Sequence, residues 1–216
     1  MLKNNDVRTP GRPPKEADQK NRILLEAAKA ITSVGYEQCN LQDIANAINL
    51  SRPALYHYFS TKQEIFTAIA LRSMKGIYQF VLSDVEKEKY ALKRLERFFL
   101  SHAQYFDENF WMVSATIVGY GGVARRDMSE RESFEMFRMK YLDMLKKILE
   151  DGVSEGCFEI KDIALVSRSV FQLLNISYFI LLLDLGHFRP PDSRAVKCPT
   201  KQMWTVRILS RCLLLP

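Results

Sequence analysis

Between residues 40 and 62 the chain places small, polar and cationic side chains in an order suited to gripping a polyanion: Asn40, Gln42, Ser51, Arg52, Ala54, Tyr56, His57 and Lys62. Tyrosine, histidine and lysine offer donors to phosphate oxygens, and arginine can span two acceptors on a guanine edge. Small residues such as Ser51 and Ala54 let the backbone come close enough for these bonds. Ser51 is an N-cap for the segment RPALYHYF, where Pro53 is tolerated because first-turn N–H groups have no intrahelical partner. Asn40 caps a preceding short helix, LQDIANAI, with Asn49-Leu50 as the turn between the two. Such a pair is a helix-turn-helix, whose second helix enters the major groove of double-stranded DNA. Asn40 and Gln42, at the start of the first helix, can add phosphate contacts. The Tyr56 hydroxyl suits a wet edge, whereas Phe59 fits an apolar slot. Lys62 opens the next helix, where the dipole disfavours a cation, and a phosphate partner is therefore expected.

Catalysis finds no comparable group of residues. The three histidines, His57, His102 and His187, are far apart, and there is no phosphate loop, G-x-S-x-G or paired acid and base. The four cysteines are widely separated and lack metal-ligand or disulfide spacing. The sequence thus predicts no enzyme, no metal and no cofactor. The net charge of +6 is compatible with polyanion binding, and half of it falls in residues 1–22, where six basic side chains face three acidic ones. The longest strongly apolar stretch, Phe171 to Leu183, carries Gln172, Asn175 and Ser177 and falls short of the roughly 18 apolar residues that span a bilayer. With no secretory signal at the start, the expectation is a cytoplasmic protein without membrane contact.

The elements that must position these residues read as helices throughout. Ile23, Leu24, Ala27, Ala28 and Ile31 recur at helical spacing after the Pro10, Pro13 and Pro14 segment, and Gly35 stops that helix. Thr61-x-x-Glu64 is a capping box for a longer helix from Lys62 to about Leu82. Further helices are expected near 90–110, 111–118, 130–152, 162–184 and 200–214, with Gly119, Gly121 and Gly122 breaking the second of these and a capping box at Ser129 opening the third. That third helix should end at Gly152 or Gly156.

The run NLQDIANAINLSRPALYHYFSTKQEIF, preceded by ILLEAAKAITSVGYE, resembles the DNA-binding domain of the TetR family of bacterial regulators over about Lys20 to Phe66. The Gly35-Tyr36 step, Ile44-Ala45, Ser51, Leu55-Tyr56, Tyr58-Phe59 and Lys62 carry the resemblance. It implies an all-α homodimer. An N-terminal three-helix helix-turn-helix domain would bind a palindromic operator, and a helical ligand-binding and dimerisation domain would follow. On this chain the division falls at 1–17 for a basic arm, 18–66 for the DNA-binding domain and 67–216 for the rest. The resemblance further implies that Tyr56, His57 and Lys62 hold phosphates and that Arg52 and Ala54 lie near base edges. His57-Tyr58 departs from the tyrosine-then-histidine order of many relatives, which leaves open which of the two reaches the backbone.

Outside that domain, TPGRPPK resembles an AT-hook core whose Arg12 would enter a narrow A·T-rich minor groove; a diffuse basic tail is the plainer reading. Leu92, Leu95, Phe99, His102 and Phe106 form a helical stripe of the kind that usually builds core. Together with Trp111, Met112, Tyr120, Met136, Met139, Phe171, Asn175 and Tyr178 it could instead line an apolar cavity with a few polar anchors for a small-molecule effector. Taken alone, His102 fits a hydrogen-bonded core histidine better than a ligand contact. Arg125-Arg126 fits a solvated pair or, on a faint similarity to the acyl-CoA-responsive branch of the family, a phosphate site. Val170, Leu174, Trp204, Ile208 and Leu209 belong to two helices with more apolar surface than a monomer can cover, so these are expected to pair in a dimer. The leading reading is a ligand-responsive repressor, and an architectural DNA-binding protein without an inducer is the alternative. Deletion of residues 1–14 should lower operator affinity and preference for A·T-rich flanks while leaving the melting curve unchanged; a truncated protein that still distinguishes flanks rules out minor-groove entry by Arg12.

Overall fold

The computed structural model describes residues 15–123 and 131–184, with side chains over 16–120 and 131–175. Among the described residues there are eight α-helices and no strands: α1 Lys15–Val34, α2 Leu41–Ala47, α3 Arg52–Tyr58, α4 Lys62–Val85, α5 Ala91–Glu108, α6 Phe110–Val123, α7 Arg131–Ser154 and α8 Ile163–Asp184. The fold is all-α, as expected. Ser129, Arg125, Arg126 and the helix expected at 200–214 lie outside the described residues.

Local chemistry sets the end of α1 and the starts of α2, α3 and α4. Gly35 ends α1 at φ +84°, a backbone angle that costs glycine nothing, and its N–H closes onto the Ile31 carbonyl at 2.9 Å. The Asn40 side chain accepts the Asp43 N–H at 2.9 Å, and the Ser51 hydroxyl accepts the Ala54 N–H at 3.3 Å. The Thr61 hydroxyl takes the Glu64 N–H at 3.0 Å, and the Glu64 carboxylate returns to the Ser60 N–H at 2.7 Å, one residue before the cap. These bonds satisfy N–H groups that a helix start leaves without partners.

Helix α4 crosses the boundary drawn at residue 66. It packs on α1 and also on α5, α6 and α7. Ile65, Phe66, Ile69, Ala70 and Val81 are fully buried along it. Helix α6, expected to break at its glycines, instead runs through them to Val123. Being apolar nearly all round, it is stabilised by burial against α1, α4 and α8, which outweighs the roughly 1 kcal/mol that each helical glycine costs. Gly119 is also required where it stands: a Cβ there would come within 2.2 Å of Phe66 Cε2.

Helix α5 has no side-chain cap of its own at Tyr90. The Glu155 carboxylate, just beyond the end of α7, accepts the Ala91 N–H at 3.0 Å, and Arg94 pairs with Asp151 at 2.8 Å. Of the two glycines expected to end α7, Gly152 lies inside the helix and Gly156 beyond it. Helix α8 corrects part of the dimer expectation: Val170 and Leu174 are 3% and 2% exposed, covered by their own chain. The outward face carries Leu165 and Leu173 instead, 58% and 48% exposed. Both sets fit helical spacing, and only contact with α6 and α7 decides which turns inward.

Gly119→Ala should destabilise the protein by about 1–3 kcal/mol, because Phe66 is fully buried and has no room to retreat. Urea unfolding measures this, and Phe66→Leu in the same chain should recover part of the loss.

Candidate functional site

Helix α3 turns Leu55 inward with no exposure and leaves Arg52, Pro53, Tyr56 and His57 facing out. Phe59, just past its end, is buried as expected. The Arg52 guanidinium donates to the Tyr56 hydroxyl at 3.2 Å and lies 5.6 Å from the centre of its ring. One helical turn of spacing brings the two together. His57 is exposed and Tyr58 half-buried, so of the two His57 is the side chain that faces outward. Asn40 and Gln42 are exposed on α2, Asn40 bonded as the cap and Gln42 donating to Asn46 at 2.8 Å. Arg12 lies outside the described residues.

Lys62 differs from expectation. Its ammonium donates to the carbonyls of Tyr36, Glu37 and Cys39 at 2.8, 3.2 and 2.9 Å and stands 4.4 Å from the centre of the Tyr36 ring. An ammonium has three N–H donors. All are engaged with the α1–α2 loop, so the negative partner sought for a cation at a helix start is a cluster of carbonyl oxygens, and the argument for a phosphate falls away.

A cavity of about 410 Å³ lies between the helices of the C-terminal half. Helix α4 contributes Ser73, Met74 and Ile77; α5 gives His102; α6 gives Val113, Thr116, Ile117 and Tyr120. Phe134, Arg138 and Tyr141 of α7 and Phe171, Gln172 and Asn175 of α8 complete the wall. Of the residues expected to line it, His102, Tyr120, Phe171 and Asn175 do so. Phe99 and Phe106 are instead buried in the core, 3% and 1% exposed. Trp111 and Met112 pack partly buried against that core without reaching the cavity, and the Trp111 carbonyl meets the Thr32 hydroxyl of α1 at 3.4 Å. Met136 and Met139 are exposed, because the phase that turns Phe134, Arg138 and Tyr141 inward turns them out. The side chain of Tyr178 lies outside the described ones.

The sequence reading missed Arg138 and Tyr141, as well as Ser73, Met74, Ile77, Val113, Thr116, Ile117, Phe134 and Gln172. Tyr141 was open to inference, since a buried histidine calls for a polar partner; Arg138 gave no sign beyond its spacing from Phe134 and Tyr141.

Charge is sparse in the cavity. His102 Nδ1 lies 2.7 Å from the Tyr141 hydroxyl, and both residues are buried. Burial pushes the His102 pKa down to about 4, so the ring is neutral at pH 7. At the wall, the Tyr120 hydroxyl donates to Glu135 Oε1 at 2.7 Å, and Arg138 Nε donates to Glu135 Oε2 at 2.6 Å. Burial pushes the Glu135 carboxyl up, but the bonds from Tyr120 and Arg138, with the charges of Arg138 and Arg131, bring it below its ordinary value. Burial, then the bond to Glu135, raises the Tyr120 pKa. Among the described residues no group of side chains is arranged to hold a metal ion, and no helix is long and apolar enough to cross a membrane.

The His102 environment makes stability depend on pH. An unfolded histidine, with a pKa of about 6.5, takes up its proton before the buried one does, so acid favours unfolding. The contribution is complete above about pH 6.5 and lost as the pH falls toward about 4, on the order of 3 kcal/mol in all. Denaturant titrations across that range should show the loss in the wild type, and His102→Gln should remove it.

Residues 23–69 match the family described as bacterial regulatory proteins, tetR family. The chain is similar to the TetR family transcriptional regulator PfmR from Thermus thermophilus, with 32% identity, 89% of this chain and 97% of that chain covered, and a TM-score of 0.72. It is 22% identical to the uncharacterized HTH-type transcriptional regulator YhgD of Bacillus subtilis (strain 168), over 89% of this chain and 97% of the relative. The fold is also shared with AibR, solved with isovaleryl coenzyme A and operator DNA, at 22% identity, a TM-score of 0.71 and coverage of 92% and 99%. With a capped helix-turn-helix leading into a helical domain, and with this likeness along nearly its whole length, the chain belongs to the TetR family of bacterial DNA-binding transcriptional regulators.

Proposed function

We propose that the protein is a repressor that binds a palindromic operator as a homodimer and is released by a small apolar or amphipathic effector in the cavity. The continuity of α4 carries this reading. The helix starts at the Thr61 cap beside α3, and twelve residues later the same rigid rod contributes Ser73 to the cavity wall, followed by Met74 and Ile77. A volume of about 410 Å³ lies within the roughly 300–1,000 Å³ usual for small-molecule sites. A ligand that favours one tilt of α4 alters the spacing of the two recognition helices, to which binding of a fixed palindrome is sensitive. The cavity favours this reading over an architectural protein with a filled C-terminal half. The isovaleryl coenzyme A in the AibR structure makes acyl thioesters the first effectors to try.

On the DNA side, Arg52 and Ala54 lie at base edges, while Tyr56, His57, Ser51, Asn40 and Gln42 face the phosphates; Lys62 is assigned to the α1–α2 loop. The dimer forms through the C-terminal helices, with Leu165 and Leu173 on the outward face of α8. Trp204, Ile208 and Leu209, which lie outside the described residues, are assigned to the same interface.

Operator titrations with and without an acyl-CoA series test the mechanism. An effector should weaken DNA binding by roughly 5–150-fold, and operator should weaken effector binding by the same factor. Asn175→Trp should fill the cavity and abolish the response while sparing DNA affinity; a response equal to that of the wild type would place the effector elsewhere. Arg52→Ala should relax base preference at one or two operator positions, which selection from a randomised half-site reads out.

A further inference from the structure

The wall of the cavity holds a cation already mated to an anion. Arg138 is the one permanently charged side chain lining it among the described residues, since burial keeps His102 neutral. Glu135 is not part of the wall, yet it grips Arg138 Nε at 2.6 Å and receives the Tyr120 hydroxyl at 2.7 Å, and Tyr120 and Arg138 both face the cavity. The pair is half-buried, with side chains 30% and 28% exposed. A guanidinium has five N–H donors, and among the described residues Arg138 spends its donors on the bond to Glu135 and a 3.8 Å contact to Met139 Sδ. The guanidinium thus retains donors for a second acceptor. Among the described lining residues this is the one cation offered to an entering anion, and Glu135 offsets its charge.

We propose that Glu135 stands in for the anion of the effector: it holds Arg138 and Tyr120 at the cavity wall, and an amphiphile with a carboxylate or phosphate group competes with it for them. This rests on the reading of the cavity as the effector site and adds the chemical class of the ligand. Arg138 is the specificity-determining residue, and Glu135 sets how tightly an anion must bind to displace it. The apolar chain of the amphiphile lies against Met74, Ile77, Ile117 and Phe171. A neutral amphiphile gains nothing from Arg138 and is indifferent to Glu135.

The experiment measures affinities of the full-length protein for dodecanoate, dodecanoyl-CoA and dodecanol by calorimetry. Glu135→Gln keeps the side-chain shape and one of the two oxygen acceptors but removes the charge, and should tighten dodecanoate or dodecanoyl-CoA by about tenfold, a change of roughly 1.4 kcal/mol. Arg138→Gln should weaken the same ligand by a similar factor, with Arg138→Lys in between, and neither substitution should move dodecanol by more than about twofold. A gain confined to dodecanoate identifies a carboxylate as the partner of Arg138, and one confined to dodecanoyl-CoA identifies a phosphate. An anion affinity unchanged or lowered in Glu135→Gln, equal shifts for dodecanol, or no binding by either anion overturns the proposal. Operator release that Asn175→Trp abolishes, but that ignores both charge substitutions, would do so while leaving the effector cavity standing; release that Asn175→Trp leaves intact would overturn the cavity reading itself.

Discussion

The burial of Phe66 is the constraint on which the rest depends. Its ring has no exposure, meets Tyr36 edge-on at 5.2 Å, and lies against the Cα of Gly119. One aromatic side chain therefore joins the loop after α1, the start of α4 and the cavity-lining helix α6. Close-packed interiors transmit displacements because they have no slack to absorb them. Lys62 strengthens the same junction from outside by tying the α1–α2 loop to the first turn of α4. The helix-turn-helix thus rests on a surface continuous with the C-terminal half, which α4 enters without a break.

Helix ends were legible in the sequence where they are chemically local. Asn40, Ser51 and Thr61 are short polar residues whose oxygens reach an N–H three positions ahead, and Gly35 takes a backbone angle that other residues resist. The outward side of α3 was legible for a related reason: a seven-residue helix with one fully buried leucine has few ways to face.

The cavity wall was much less so. Helices α6, α7 and α8 each carry apolar residues on more than one side, so spacing alone leaves their rotation undetermined. Met136 and Met139, expected inward, turn out, while Val170 and Leu174, expected against a partner, are buried at home. In each case a contact between helices distant in sequence decides the matter. Lys62 departs from expectation for a different reason. The dipole argument correctly demands a negative partner, but backbone carbonyls brought close by the fold are invisible in a list of side chains.

The cap at the start of α5 bears on how the chain reaches this structure. Tyr90 makes no side-chain cap bond, and the carboxylate that accepts the Ala91 N–H belongs to Glu155, 64 residues after Ala91. Arg94 and Asp151 join the same two places across 57 residues. An isolated α5 would fray at that end, and its first turn becomes secure only when the end of α7 has arrived. On a ribosome emitting residues in order, α2, α3 and α4 can cap their starts from their own neighbourhoods, whereas α5 must wait for a distant segment to be made. The caps of the N-terminal helices can therefore form early, and closure of the C-terminal half is deferred by the entropy of a long loop.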